Sequence, residues 1–194
     1  MGEAEPLEGV VLEAYFAFVK KIVAAFESVS LDYAFTGALA ISFYGTPRTT
    51  SDIDVMVAVG SAVDVKAKVI AALQKAGLAV DERKIDDALI SGFRIATFKD
   101  KKSPFSVDVI FSGEKLDKRA GKIDSLDTYF QSPEGLIAAK LRMIKATLSP
   151  ERSAKDKADI KAILKFTHVN LGAVKRQAQK DNTLDVFEAL DLNG

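Results

Sequence analysis

The sequence contains no cysteine and no tryptophan, and it has a single histidine among its 194 residues. Without cysteine, disulfide bonds, thiolate catalysis and cysteine-ligated zinc are excluded. The histidine, His168, follows a predicted helix, where we expect a surface or capping residue. A continuous apolar run of eighteen residues is also absent, so we predict a cytoplasmic protein with no membrane partner.

The chain has no net charge, because 27 Lys and Arg residues balance 27 Asp and Glu residues. This balance excludes an overall basic field that would attract nucleic acid, although it allows a local basic patch. A hydrophobic content of 48% and a charged content of 28% are typical of a globular protein with a buried core. The composition therefore favours an ordinary folded domain over a disordered chain.

Two carboxylates, Asp52 and Asp54, open an otherwise apolar strand that continues through Val55–Val59. Because side chains alternate along a strand, both should lie on one face, with Cα atoms about 6.6 Å apart. Two charges about 5 Å apart repel by roughly 3 kcal/mol at an effective dielectric near 20. A divalent cation removes that repulsion, and hard oxygen ligands favour Mg²⁺ or Mn²⁺. The pair predicts a site for phosphoryl or nucleotidyl transfer. In the alternative interpretation, Asp52 caps the start of the strand and Asp54 is solvated at the edge of the sheet.

A second feature lies upstream, where Gly37 separates a short apolar strand at 33–36 from a predicted helix at 38–44. A strand, a glycine and a helix N-terminus form a phosphate cradle, because free backbone N–H groups and the helix dipole both attract an anion. Arg48 lies four residues before Asp52, and a guanidinium binds phosphate well. We therefore predict phosphate contacts at Gly37, Ala38 and Arg48, although Arg48 can also be read as an exposed loop residue.

The remaining pattern predicts an α+β fold with a mixed sheet flanked by helices. We divide the chain into an N-terminal packing helix (1–29), a core (30–112) and a C-terminal helical region (113–194). Within the predicted core region, the segments 92–98 and 105–111 are predicted to form a β-hairpin. For the polar stretch that precedes them we predict neither a helix nor a strand.

Two charged residues interrupt apolar helix faces in the C-terminal region. Lys140 falls inside the apolar arc of a helix that begins at Ser132-Pro133-Glu134, and Asp156 falls inside that of the next helix, 151–166. An unpaired buried charge costs several kcal/mol, so the Lys140 ammonium must either extend to solvent or find an anion. Two inward charges of opposite sign favour pairing. One interpretation is a salt bridge between Lys140 and Asp156 that joins the two helices.

The segments Gly-Ala-x-Ala (37–40) and Gly-x-x-Arg-x-Thr-x-Asp-Ile-Asp (45–54) resemble the nucleotidyltransferase superfamily, which includes DNA polymerase β, CCA-adding enzymes and antibiotic adenylyltransferases. The closest resemblance is to the AbiEii-type toxins. Ser-Pro-Glu-Gly-Leu-Ile-Ala-Ala-Lys-Leu (132–141) and Arg-x-x-Lys-Asp-x-x-Asp-Ile (152–160) extend the resemblance over about 33–166. One departure is Ala38, at a position where the superfamily has Gly or Ser, so phosphate binding there would rely on backbone N–H groups.

The resemblance implies a nucleotidyltransferase core in which Asp52, Asp54 and a third carboxylate, Asp108, hold Mg²⁺ or Mn²⁺. Asp108 would also act as the base toward the acceptor hydroxyl; alternatively it is an edge residue that points to solvent. In the functional interpretation, Lys140 contacts the triphosphate, and Asp156 supports it or handles a proton.

The resemblance implies a reaction that moves a nucleoside monophosphate from an NTP to a hydroxyl of RNA, such as tRNA, or of a protein. It also implies a toxin–antitoxin pair, in which an antitoxin would be the partner. Two alternatives stay open at this stage. The first is a degenerate nucleotide- or partner-binding protein with the same fold, which the alanine at position 38 suggests. The second is a small-molecule adenylyltransferase that modifies an antibiotic.

Overall fold

A computed structural model describes residues 5–45, 50–60, 62–91 and 94–190, with only the backbone described at 5–11, 62 and 63. In chain order its elements are α1 (Glu5–Glu27), β1 (Tyr33–Phe35), α2 (Gly37–Tyr44), β2 (Asp52–Ala58), α3 (Ala62–Lys75), α4 (Glu82–Ile90), β3 (Ile95–Lys99), β4 (Ser106–Ser112), β5 (Lys118–Ile123), β6 (Leu126–Gln131), α5 (Pro133–Ala146), α6 (Pro150–Phe166), α7 (Leu171–Lys180) and α8 (Leu184–Glu188). They fall into two compact units.

The first unit comprises Met1–Phe35 and Thr50–Phe130 and contains a six-stranded sheet in the order β3-β4-β2-β1-β6-β5. Strand β2 pairs antiparallel with β1 and parallel with β4, while β3 and β4 form the predicted antiparallel hairpin. Strand β6 runs parallel to β1. The sheet is therefore mixed, and the predicted α+β class is confirmed.

The core of this unit lies on one face of the sheet, where alternate residues of β2 and β4 are fully buried. These buried residues are Ile53, Val55, Val57, Val107, Val109 and Phe111. Helix α1 contributes aromatic side chains: Phe18 stacks on Phe105 at 5.4 Å, and Phe26 meets Tyr33 edge-on at 5.3 Å. The residues between the buried positions of β2 and β4 necessarily point to the opposite face.

The second unit comprises Thr36–Thr49 and Gln131–Gly194. Helix α5 starts where the sequence predicts, because the Ser132 hydroxyl accepts a hydrogen bond from the Gly135 N–H at 3.0 Å and Pro133 occupies the first turn. Its buried residues pack against α2, α6 and α7. Arg142 and Lys145, near its C-terminal end, form ion pairs with Asp181 and Asp185 of the following segment.

Two parts of the secondary-structure prediction are wrong. Helical structure does not begin near residue 113, because β5 and β6 precede α5. Strand β5 is an edge strand in which only Ile123 is buried, so it lacks the apolar alternation that would reveal it. The polar stretch before β3, for which no helix or strand was predicted, contains α4. This is a nine-residue amphipathic helix capped by the Asp81 carboxylate. The predicted divisions at residues 29 and 112 stay predictions.

In the part of the chain that is described, no helix has both the length and the apolar character needed to cross a membrane.

Candidate active site

The carboxylates of the first unit lie on one face of two neighbouring strands. Strand β2 places Asp52 and Asp54 opposite the core side, and its parallel pairing with β4 sets Asp52 beside Ser106 and Asp54 beside Asp108. In-register neighbours on adjacent strands are about 4.8 Å apart and point to the same face. Asp52 is exposed, while Asp54 and Asp108 are half-buried. The structure thus brings all three predicted carboxylates to one surface, and their catalytic roles stay predictions.

Two hydroxyl groups hold two of these carboxylates. The Ser106 hydroxyl donates to Asp52 Oδ1 at 2.7 Å, and the Thr97 hydroxyl donates to Asp108 Oδ1 at 2.6 Å. Thr97 lies on β3 directly opposite Asp108. Neither hydroxyl residue is among the site residues predicted from the sequence. The signal that could have identified them is the hairpin register, which puts Thr97, Ser106 and Asp108 on the same face.

A buried tyrosine lies within the electric field of the same carboxylates. Tyr15 of α1 is 8% exposed and packs edge-on against Phe105 at 5.7 Å. Burial, together with the negative charges of Asp54 and Asp52, raises the pKa of Tyr15 to about 12. Its hydroxyl has no hydrogen-bond partner among the described residues. Tyr15 is therefore a neutral phenol at physiological pH.

The donor set of this face suits a hard divalent cation, since carboxylate and hydroxyl oxygens are the ligands that Mg²⁺ and Mn²⁺ prefer. Among the residues that are described, no three acidic, histidine or cysteine side chains converge tightly enough to form a ready metal site. The residues fit the cation in chemical type and in their shared face. Convergence on one ion requires side-chain rotation, which the exposed and half-buried positions of Asp52, Asp54 and Asp108 permit.

In the second unit, the N-terminus of α2 has the features of an anion cradle. Gly37 adopts φ +56°, a left-handed conformation that an L side chain rarely tolerates. Thr36 precedes the helix but does not cap it, because its hydroxyl donates instead to Gln131 Oε1 at 2.5 Å. The backbone N–H groups of the first turn are therefore left without a side-chain cap, as an anion site requires. Ala38, in that turn, offers only its backbone.

The predicted salt bridge of the second unit is present, and it has a third member. Lys140 Nζ lies 2.5 Å from Asp156 Oδ1 and 2.8 Å from Asp159 Oδ2. The side chains are 18%, 6% and 11% exposed, so the cluster is largely buried. One ammonium faces two carboxylates, and Asp156 Oδ2 has no partner among the described residues. Asp159 was not predicted as a partner of Lys140, although its i+3 spacing from Asp156 places it on the same side of α6.

Arg48, the remaining predicted phosphate contact, lies outside the described residues. A phosphate contact by Lys140 or by the α2 N-terminus likewise stays a prediction.

Comparisons with known proteins agree with this architecture. Residues 21–191 match the family model described as "Nucleotidyl transferase AbiEii toxin, Type IV TA system". No curated protein sequence matches the chain. Among solved structures, the antibiotic-resistance factor ANT(2″)-Ia in solution aligns with a TM-score of 0.61 and 13% identity over 91% of this chain and 96% of that one.

Two further solved structures share the fold. An antigenic nucleotidyltransferase-like protein from Paracoccidioides brasiliensis aligns with a TM-score of 0.62 and 16% identity, over 90% of this chain and 89% of that chain. ANT(2″)-Ia in complex with adenylyl-2″-tobramycin aligns with a TM-score of 0.54 and 13% identity, over 88% and 98%. At these identities the likeness establishes the fold alone.

Proposed function

Because the chain belongs to the AbiEii nucleotidyltransferase toxin family, we propose that it moves a nucleoside monophosphate from an NTP to an acceptor hydroxyl, on RNA or protein, with the help of Mg²⁺ or Mn²⁺. The observation that carries this proposal is the common face of Asp52, Asp54 and Asp108, with Asp54 and Asp108 in register on parallel strands. Three carboxylates at this spacing repel one another, which favours a cation among them.

Asp52 and Asp54 are the residues that would hold the cation, with Asp108 as a third ligand. A bound divalent cation would neutralise charge on the phosphates as the transition state develops. Asp108 accepts the proton of the acceptor hydroxyl. The hydroxyl oxygen then attacks the α-phosphorus, the bond to the bridging oxygen breaks, and pyrophosphate leaves with that bond's electron pair.

We propose phosphate-binding roles for Gly37, Ala38, Lys140 and Arg48. The uncapped N–H groups at Gly37 and Ala38 donate to phosphate oxygens, so a serine hydroxyl is not required at position 38. Lys140 supplies a positive charge whose position is fixed by Asp156 and Asp159. Asp156 therefore contributes to phosphate binding by positioning Lys140. Arg48 is retained as a proposed phosphate ligand on chemical grounds.

The partners that follow from this function are an NTP, a tRNA or protein acceptor and, through the toxin family, an antitoxin. The fold likeness to ANT(2″)-Ia does not by itself favour an antibiotic acceptor, because it extends to the fold alone.

The first experiment is a thermal denaturation of the purified chain with Mn²⁺ and each of the four NTPs. A ligand present at one hundred times its dissociation constant stabilises the native state by about 2.7 kcal/mol. For a chain of this size each kcal/mol raises the melting temperature by about 2–4 °C, so we expect a rise of about 5–10 °C. Asp54→Asn should abolish most of this rise.

The matched control is Asp127→Asn, the same change at an exposed strand carboxylate of the same unit. It should leave the rise intact. Absence of a rise with every NTP would contradict the proposal. A second assay follows transfer of label from each α-labelled NTP to total tRNA or to protein. A rise without transfer to any acceptor supplied would favour the degenerate nucleotide-binding alternative.

A further inference from the structure

The hydrogen bond between Thr97 and Asp108 joins the edge strand of the sheet to the third carboxylate of the candidate active site. Thr97 is directly opposite Asp108 in the β3–β4 hairpin, and its hydroxyl donates to Oδ1 at 2.6 Å. Asp108 has no ion-pair partner among the described residues. Thr97 is therefore the side-chain donor by which the described structure fixes the orientation of this carboxylate.

The strand order determines on which side of Asp108 the Thr97 hydroxyl lies. Strand β4 lies between β3 and β2, so Thr97 approaches Asp108 from the side opposite to Asp54. When a neighbour on one side holds Oδ1, the rotation of the carboxylate is restricted and Oδ2 is left for other contacts. We propose that Thr97 is a positioning residue for Asp108, which holds Oδ1 so that Oδ2 is presented to the cation and the acceptor hydroxyl. This inference rests on the proposed function.

The position of Thr97 argues against a mainly structural role. Its side chain is exposed on an edge strand, where a hydrogen bond contributes only about 0.5–1.5 kcal/mol to stability. A β-branched residue of the same size, such as valine, would preserve the strand equally well. Hydrogen bonds that orient a metal-binding carboxylate have a much larger effect on function: their loss typically lowers metal affinity or activity by about 10–100-fold.

The test compares Thr97→Val, which removes the hydroxyl, with Thr97→Ser, which retains it. The matched control is Ile95→Val, on the same strand and the same face, where no polar contact is lost. Isothermal titration with Mn²⁺, first alone and then in the presence of each NTP, measures cation affinity. Transfer from α-labelled NTP to total tRNA measures kcat and KM. We expect Thr97→Val to lose about 10–100-fold in Mn²⁺ affinity and in kcat with little change in KM for the NTP. Thr97→Ser should recover most of both, and Ile95→Val should match the wild type.

Several results would overturn the inference. Thr97→Val within twofold of the wild type in Mn²⁺ affinity would show that the hydroxyl does not position Asp108. Tighter Mn²⁺ binding in Thr97→Val would show that the hydroxyl restrains Asp108 away from the cation. An equal loss in Ile95→Val would point to the strand and not to the hydroxyl. The proposed function fails separately, and this inference with it, if the wild-type chain binds no Mn²⁺ in the presence of any NTP.

Discussion

Replacing Lys140 by methionine gives a sharp test of the second unit, because it removes one charge from a largely buried cluster. Methionine keeps most of the apolar length of the lysine side chain, so the packing of α5 against α6 is largely preserved. The change removes the Lys140 ammonium from Asp156 and Asp159, whose side chains are 6% and 11% exposed. We therefore expect a large loss of stability.

The magnitude follows from the burial of the cluster. Removing one partner of a buried ion pair typically costs about 3–5 kcal/mol, because a charge is left without compensation. Asp156 is 6% exposed and loses its ammonium partner in this variant, so the full range applies. At about 2–4 °C per kcal/mol for a chain of this length, the melting temperature should fall by about 6–20 °C.

Urea denaturation of the wild type and the variant measures the free energy of unfolding directly, and an unchanged slope confirms that the same surface is exposed. The matched control is Lys145→Met on the same helix, whose partner Asp185 is 67% exposed. An exposed pair contributes roughly 0–1 kcal/mol, so this control should cost little. Adding Asp156→Asn and Asp159→Asn to Lys140→Met should restore much of the loss, because the side chains that faced the ammonium are then neutral.

Two results would refute this reasoning. A loss in Lys140→Met no larger than in Lys145→Met would mean that the cluster is hydrated and carries no burial penalty. A further loss on adding the two asparagine changes would mean that the carboxylates stabilise the fold independently of Lys140. The same variants also test the phosphate contact: a large stability loss with wild-type NTP affinity would contradict that role for Lys140.

Two other substitutions test the first unit. Asp108→Asn is nearly isosteric, so the free energy of unfolding should change by less than about 1 kcal/mol while transfer falls by about 10²–10⁴-fold; full transfer would place the base elsewhere, with Asp156 the next candidate. Although burial raises the pKa of Asp100, hydrogen bonds from Ser103 and Lys21 lower it below its ordinary value of 3.8. Its stabilisation is therefore complete above pH 3.8 and lost as pH falls through the lower folded-state pKa. Asp100→Asn should lose stability above pH 3.8 and show a flatter acid limb in urea denaturation; an unchanged limb would contradict this.

The sequence was sufficient to predict elements whose apolar pattern is strong. Strand β2 and the β3–β4 hairpin follow from alternation, and α5 follows from its serine cap and N-terminal proline. Strand β5 could not be recognised in the same way, because Lys118, Arg119 and Lys122 lie on an edge with little burial to create a pattern. In β6 the β-favouring Thr128, Tyr129 and Phe130 were the available signal.

The candidate site could be predicted from the sequence where it depends only on the alternation of side chains along one strand. That Asp52 and Asp54 share a face follows from alternation alone. The positions of Thr97 and Asp159 depend on pairing between strands and on packing between helices, which a single sequence does not specify. The charged cluster of the second unit could be predicted in part. Lys140 and Asp156 were recognisable because each interrupts the apolar face of a helix, whereas Asp159 lies at the margin of such a face.

The register between β2 and β4 connects the core to the candidate active site. Val55 and Val109 are paired and fully buried on one face, which places Asp54 and Asp108 as a pair on the other. A slip of one residue in β4 would bury Asp108 in the apolar layer and expose Val109, at a cost of several kcal/mol for the charge alone. The apolar residues of β4 therefore specify the position of the carboxylate without contacting it. For this reason, substitutions that loosen this part of the core should impair transfer even when every polar residue of the site is intact.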